Sequence, residues 1–178
     1  MVRKVEVVPY DTQWPEIYQA EIERLVPAIG EQEVAFHHIG STSVPGLSAK
    51  PTIDILVEVR DLQALDACNE AMEALGYAPK GENGIEGRRY FNKVAGEVHL
   101  FHVHAFPTGH PKITSHLFFR DYLRSHPAVA GEYAELKQGL AVEYPFDAPA
   151  YTAGKAEFIT EVTQKATAWR NPAVENKS

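Results

Sequence analysis

At 178 residues, with 44% apolar and 23% charged residues and a net charge of −7, the chain has the make-up of a soluble globular protein able to bury a sizeable core in one domain. The acidic balance argues against non-specific nucleic-acid binding, and no apolar run is long enough for a bilayer span or a signal peptide, so neither nucleic acid nor membrane is an expected partner. The single cysteine, Cys68, excludes an intramolecular disulfide and fits a reducing, cytoplasmic location.

Taken in chain order, the alternation from Val5 to Pro9 predicts a short strand. Asp11 or Thr12 can cap the helix that follows, and Pro15 is tolerated in its first turn. Ile17, Ala20, Ile22, Leu25 and Ile29 keep to helical spacing, and Gly30 ends the helix. Val34 to Ile39 reads as a strand running into a Gly-Ser turn. Thr42 to Pro51, with two prolines and a glycine, reads as a structured loop with room for one helical turn. Ile53 to Val59 is apolar on both faces apart from its acids, which predicts a central strand. Leu62 to Leu75 follows as a second helix stopped by Gly76.

Tyr77 to Pro79 is a short strand, Gly81 to Gly87 a turn region, Arg89 to Val94 a strand, Ala95-Gly96 a turn and Val98 to Phe106 a long strand. Three helices close the chain: one through Leu117, Phe118, Tyr122 and Leu123 to about His126, one from Val129 to Tyr144, and one from Thr152 to Trp169. The architecture is α+β (α/β-like), a small mixed sheet with packed helices and a helical C-terminal third. Residues 1–170 read as one domain and residues 171–178 as a polar, frayed tail.

The chemistry concentrates in two places. Gly40 lets backbone approach a ligand closely, and Ser41, Thr42 and Ser43 add hydroxyl and N–H donors suited to phosphate oxygens. Lys50 brings a cation to the end of the same loop. Asp54 then sits in an apolar strand, where a carboxylate must be paired, metal-bound or satisfied by backbone donors. Period-two alternation puts Thr52, Asp54, Leu56 and Glu58 on one face, with Glu58 about 13 Å from Asp54 on a regular strand and so too far to share an ion. On the later strand His102 and His104 share a face, and His99 points to the other. A His-x-His pair beside Asp54 suits zinc, manganese or iron, and either histidine suits a general base near neutral pH.

Arg88 and Arg89, adjacent at a strand start, face opposite ways, so one of them at most joins a site; Arg120 and Lys155 are further candidate cations. His37 and His38 alternate, one of them inward as a core histidine. His110, His116 and His126 lie near helix ends, as caps or solvated groups. There is no phosphate-binding Walker loop, dinucleotide glycine fingerprint, nucleophile elbow or cysteine cluster of zinc type, and Cys68 has no histidine partner in sequence.

The run Gly40-Ser41-Thr42-Ser43-Val44-Pro45-Gly46-Leu47-Ser48-Ala49-Lys50-Pro51, followed by Ile53-Asp54-Ile55, strongly resembles the GrpB family. So does His116-Leu117-Phe118-Phe119-Arg120-Asp121-Tyr122-Leu123-Arg124-Ser125-His126-Pro127 with Tyr133 and Leu136-Lys137 after it, and so does the Tyr151 to Phe158 segment with Lys155. The resemblance runs from about Val5 to Trp169. That family is regarded as similar to the DNA polymerase beta-like nucleotidyltransferases, and in some bacteria such a domain is fused to dephospho-CoA kinase.

The resemblance therefore implies a nucleotidyltransferase fold that binds a nucleotide or other phosphate-bearing small molecule. It also implies transfer of a nucleoside monophosphate from an NTP to an acceptor, with magnesium or manganese. Gly40, Ser41, Thr42, Lys50 and Arg88 or Arg89 would hold phosphate. Asp54, His102 and His104 would hold the metal, with a transition metal at the histidines as another choice, and Asp54 and His102 would be catalytic. The chain departs from the active pattern at two points: Leu56 (or Thr52, in the other register) stands where a second acid belongs, and the strand from Val98 to Phe106 carries histidines where a third acid is expected. A catalytically degenerate binding or accessory module is the alternative.

Overall fold

The computed structural model describes residues 2–172. It is an α+β fold built on one mixed five-stranded sheet, as the pattern predicts. The strands are β1 (Glu33–Ile39), β2 (Ile53–Val59), β3 (Tyr77–Pro79), β4 (Arg89–Ala95) and β5 (Val98–Pro107), in the order β1-β2-β5-β4-β3. β2 lies inside the sheet, antiparallel to β1 and parallel to β5; β4 and β3 complete it in antiparallel fashion. The helices are α1 (Trp14–Ile29), α2 (Leu62–Asp66), α3 (Asn69–Ala74), α4 (Pro111–Ser125), α5 (Pro127–Glu143) and α6 (Ala148–Arg170). Among the described residues, no helix is long and apolar enough to cross a membrane.

Alternation along β2 divides the molecule. Ile53, Ile55, Val57 and Val59 are buried with Leu25 and Ile29 of α1, Leu65 of α2 and Met72 of α3, forming the main core. On the other face Leu56 packs with Ile39, Phe106 and Ile113 under α4. A separate core of Val44, Leu47, Leu123, Tyr133 and Val162 ties the β1–β2 loop to α4, α5 and α6. The main core also holds a charged group. Glu21 of α1 is 3% exposed, 2.9 Å from Lys93 Nζ on β4, and accepts from the Tyr77 hydroxyl at 2.9 Å.

Four expectations shift. The strand expected over Val5 to Pro9 reduces to a single bridge, Val8 to Ala49, because Val5 spends its N–H on Pro145 O and its side chain on Leu140 and Tyr151. The helix expected over Leu62 to Leu75 is two, since Ala67 and Cys68 donate to residues three back and tighten the chain between α2 and α3. α5 starts at Pro127, two residues early, because proline lacks the N–H that a first helical position leaves unused. α6 starts at Ala148 because Asp147 caps it through Ala150 N at 3.0 Å. The tail expected to fray lies, from residue 173 on, outside the described residues.

Candidate functional site

β1 and β2 are antiparallel with Ile39 opposite Asp54, so the turn leaving β1 folds directly over that carboxylate. Gly40 adopts φ 73° and ψ −174°, a region essentially confined to glycine. A Cβ built there would stand 2.7 Å from Asp54 Oδ2. Ser41–Ser43 then make one 3-10 turn, fixed by Ser43 N to Gly40 O at 3.1 Å, His38 Nε2 to Thr42 Oγ1 at 2.9 Å, and Arg124 Nε donating to Ser43 O at 2.9 Å. His38 is the inward member of its pair. It stacks on Tyr18, and burial and the Arg124 charge lower its pKa to about 4, so it is neutral at pH 7. Gly40→Ala is expected to cost about 1–3 kcal/mol of stability from backbone strain and to displace Asp54, read as a lowered melting temperature.

The parallel register sets Asp54 beside His102 and Leu56 beside His104. His104 Nε2 lies 3.2 Å and His102 Nδ1 3.5 Å from the same atom, Asp54 Oδ1. Arg88 Nη1 meets His104 Nδ1 at 3.3 Å. Arginine has only donors, so Nδ1 accepts and the His104 proton sits on Nε2, pointing at Asp54. Burial alone would raise the Asp54 pKa; the hydrogen bonds from His102 and His104 reverse this and hold the carboxyl well below the usual carboxylate range.

His99, expected on the opposite face, joins this row. The register shifts between Lys93 and Val94 of β4, so that Lys93 faces Phe101 and Val94 faces His99. The extra residue on β5 brings His99 Nδ1 to 2.9 Å from His102 Nε2. Arg88 is 6% exposed, gripped by Glu82 O and Asn83 O and laid over Tyr90. Arg89 faces the other way and pairs with Asp66 of α2 at 2.7 Å, so it is not brought to the cluster. Arg120 donates to His38 O and pairs with Asp121, buttressing the turn from behind.

In front of Asp54 lies a cavity of about 700 Å³ between the sheet and α4, α5 and α6. Gly40, Ser41, Thr42, Lys50, His102 and His104 all line it. So do Lys155, named above as a candidate cation, and residues that the sequence reading did not assign to a site: Arg3, Lys112, His116, Lys137 and Tyr151. His116, read as a cap or a solvated group, is instead an inward member of α4, 6.0 Å from the His104 ring, and burial lowers its pKa to about 4.

Lys50 Nζ and Lys155 Nζ sit 5.0 and 4.8 Å from the Tyr151 ring centre, and Lys137 Nζ sits 4.5 Å from that of Tyr133 while donating to Ser48 O. Burial first, then the neighbouring lysine charges, lower Lys137 to about 7 and Lys155 to about 8; burial and then the Arg3 charge lower Lys50 in the same sense. Among the described residues, five cations and one carboxylate thus face one cavity in a chain of net charge −7.

The side chains around Asp54 fit metal ions poorly. Among the described residues, Asp54 is the sole carboxylate lining the cavity. Leu56 is fully buried, and the Thr52 hydroxyl donates to His99 O at 3.0 Å, so neither position flanking Asp54 offers a second acid. His104 accepts from Arg88 on one nitrogen and donates to Asp54 from the other, leaving no lone pair for a metal. Among the described residues, no three His, Cys, Asp or Glu side chains are grouped to hold a metal ion.

Comparison with known proteins gives one consistent answer. A family model described as GrpB protein matches residues 4–165. UPF0157 protein YqkA of Bacillus subtilis is 49% identical over 168 residues, which cover 94% of this chain and 49% of that protein, so the chain spans about half the length of this relative. A solved structure described as conserved protein GrpB from Enterococcus faecalis superposes with a TM-score of 0.87 at 38% identity, covering 90% of this chain and 96% of that one. A protein named dephospho-CoA kinase from Mycolicibacterium paratuberculosis is 28% identical over 193 residues, 93% of this chain and 46% of its own length.

Proposed function

The chain belongs to the GrpB family, and from that premise we propose that its cavity binds a nucleotide or another small molecule carrying several phosphates. The observation that carries this reading is the charge inversion: Arg3, Lys50, Lys112, Lys137 and Lys155 surround one carboxylate in an otherwise acidic protein. A cavity of about 700 Å³ is of the size that encloses a small ligand. Donors of the Gly40-Ser41-Thr42 turn and of Lys50 suit phosphate oxygens, and Phe119, Tyr133 and Ile159 offer apolar wall to the rest of the molecule. The likeness to a dephospho-CoA kinase places coenzyme A compounds among the ligands to test. A thermal-shift screen with NTPs, coenzyme A compounds and inorganic polyphosphate is expected to stabilise the protein. No shift with any of them removes the reading.

Nucleoside monophosphate transfer is a second reading, favoured by the spacing of Gly40-Ser41 and Asp54. This chain's own contribution to it would be an ionised Asp54 oriented by His102 and His104, near the turn that holds phosphate. Release of pyrophosphate from an NTP, lost in Asp54→Asn, is its test.

Binding should also depend on pH. Lys137 and Lys155 titrate near 7 and 8 in the empty cavity, against 10.5 for an ordinary lysine. A bound polyanion favours their charged forms, so binding takes up protons and affinity is expected to fall as pH rises from 7 to 9. Stability of the empty protein runs the other way. Between pH 7 and 10.5 the unfolded chain holds more protons on these lysines than the folded one, so their contribution to stability rises with pH. Parallel titrations of affinity and melting temperature check the opposed signs.

A further inference from the structure

The poor match between these residues and the expected metals leads further. We propose that the phosphate-bearing ligand is bound free of divalent metal, its charge met by the lysine cluster Lys50, Lys137 and Lys155 gathered on Tyr151 and Tyr133. This rests on the reading above and deepens it, since it names the form in which the anion is taken.

The geometry supplies the argument. Lys50 from the loop and Lys155 from α6 meet on one fully buried ring, Tyr151, and Lys137 from α5 is 2% exposed beside them. Among the described residues none of the three is in an ion pair; their partners are aromatic faces and the Ser48 carbonyl. Three ammonium groups drawn together, Lys137 buried and Lys50 and Lys155 half-buried, with Asp54 as the one carboxylate near them, are unfavourable unless a further anion joins them. The lowered pKa values of all three express the same need.

A divalent cation carried in with the phosphates would find the opposite setting. It would meet one carboxylate, already taken by two histidines, and it would add two positive charges among five. Chelation also strips two negative charges from the phosphates, the very charges that the lysines attract. Magnesium should therefore compete with the cluster for the ligand.

Calorimetric titration of the full chain with inorganic tripolyphosphate and with ATP, each in EDTA and in excess magnesium, tests this. The expected result is binding in EDTA that weakens at least tenfold in magnesium. Lys155→Met, checked for native circular dichroism, should weaken the EDTA binding at least tenfold. Asp54→Asn separates the two views by sign, because loss of a negative charge should tighten metal-free binding severalfold, whereas a metal-holding Asp54 would make the variant inert. Binding that requires magnesium, or loss of binding in a folded Asp54→Asn protein, overturns the inference and leaves the phosphate reading standing. No heat from either probe in either condition overturns the phosphate reading itself.

Discussion

Leu56→Asp, the substitution that would restore a second acid two residues from Asp54, is expected to unfold the protein. Leu56 is fully buried in a cluster with Ile39, Phe106 and Ile113. Deleting such a side chain costs about 2–5 kcal/mol, and an unpaired buried carboxylate adds several more. A domain's whole stability is about 5–15 kcal/mol. The neighbour across the sheet, His104, cannot rescue the new acid, because both its ring nitrogens are engaged. Leu56→Met, of similar volume, should lose less than about 1.5 kcal/mol. Denaturant unfolding of the two variants checks the contrast. A folded Leu56→Asp protein that gains magnesium-dependent activity would show that the sheet can reopen at this position.

Glu21→Ala is the second large effect, and it lies far from the cavity. Glu21 and Lys93 form an ion pair whose side chains are 4% and 16% exposed, with Tyr77 donating to the same carboxylate oxygen. Removing one partner of such a pair costs about 3–5 kcal/mol, because the other charge stays behind without compensation. Lys93 keeps only the faces of Tyr77 and Phe101 as company. The double variant Glu21→Met with Lys93→Met should recover most of the loss, since two apolar chains of similar length then fill the space. A thermodynamic cycle over the four proteins measures the coupling. Additive losses would mean that the pair contributes little.

Much of the fold is legible in the sequence because its signals are local. Ile53 to Val59 and Tyr77 to Pro79 fall where the sequence reading put them, the first as a run apolar on both faces, and the Gly-Ser turn sits over Asp54 because adjacent strands joined by a structured loop must bring it there. The site was legible in part for the same reason: His102 and His104 share a face by period two, and the parallel register of β2 with β5 adds Asp54 to them. Arg88 and Arg89 diverge as adjacent strand-start residues must.

The rest depends on non-local events. His99 changes face because of one surplus residue opposite β4, which strict alternation cannot show. The break between α2 and α3 carries neither proline nor glycine to announce it. Lys50 and Lys155 were named as candidate cations, but Lys112 and Lys137 were obscured by a sound general rule, that charged residues on helices face water. A finer signal was present. Lys137 follows Tyr133 by four residues and Lys155 follows Tyr151 by four, so each shares the inward face of a buried aromatic ring. Lys112 and His116 repeat the spacing on α4. A helix whose apolar stripe includes a lysine is reporting a charged cavity or a buried bond, and here it reports both.

The cavity's cations come from positions 3, 50, 112, 137 and 155, and its central bond joins residues fifty apart in the chain. No early, local stage of folding can assemble it. β1 and β2 can pair soon after their loop closes, but the parallel union of β2 with β5 must wait for the long connection between them, and the lysines of α5 and α6 arrive later still. Until then the lysine cluster has no geometry to offer an anion. A ligand that needs all of these positions binds only the finished native state, and it draws the population toward that state by mass action. Refolding in the presence of tripolyphosphate should therefore leave the early folding rate unchanged and slow unfolding. Newly made chains would become competent to hold their ligand in one late, cooperative event.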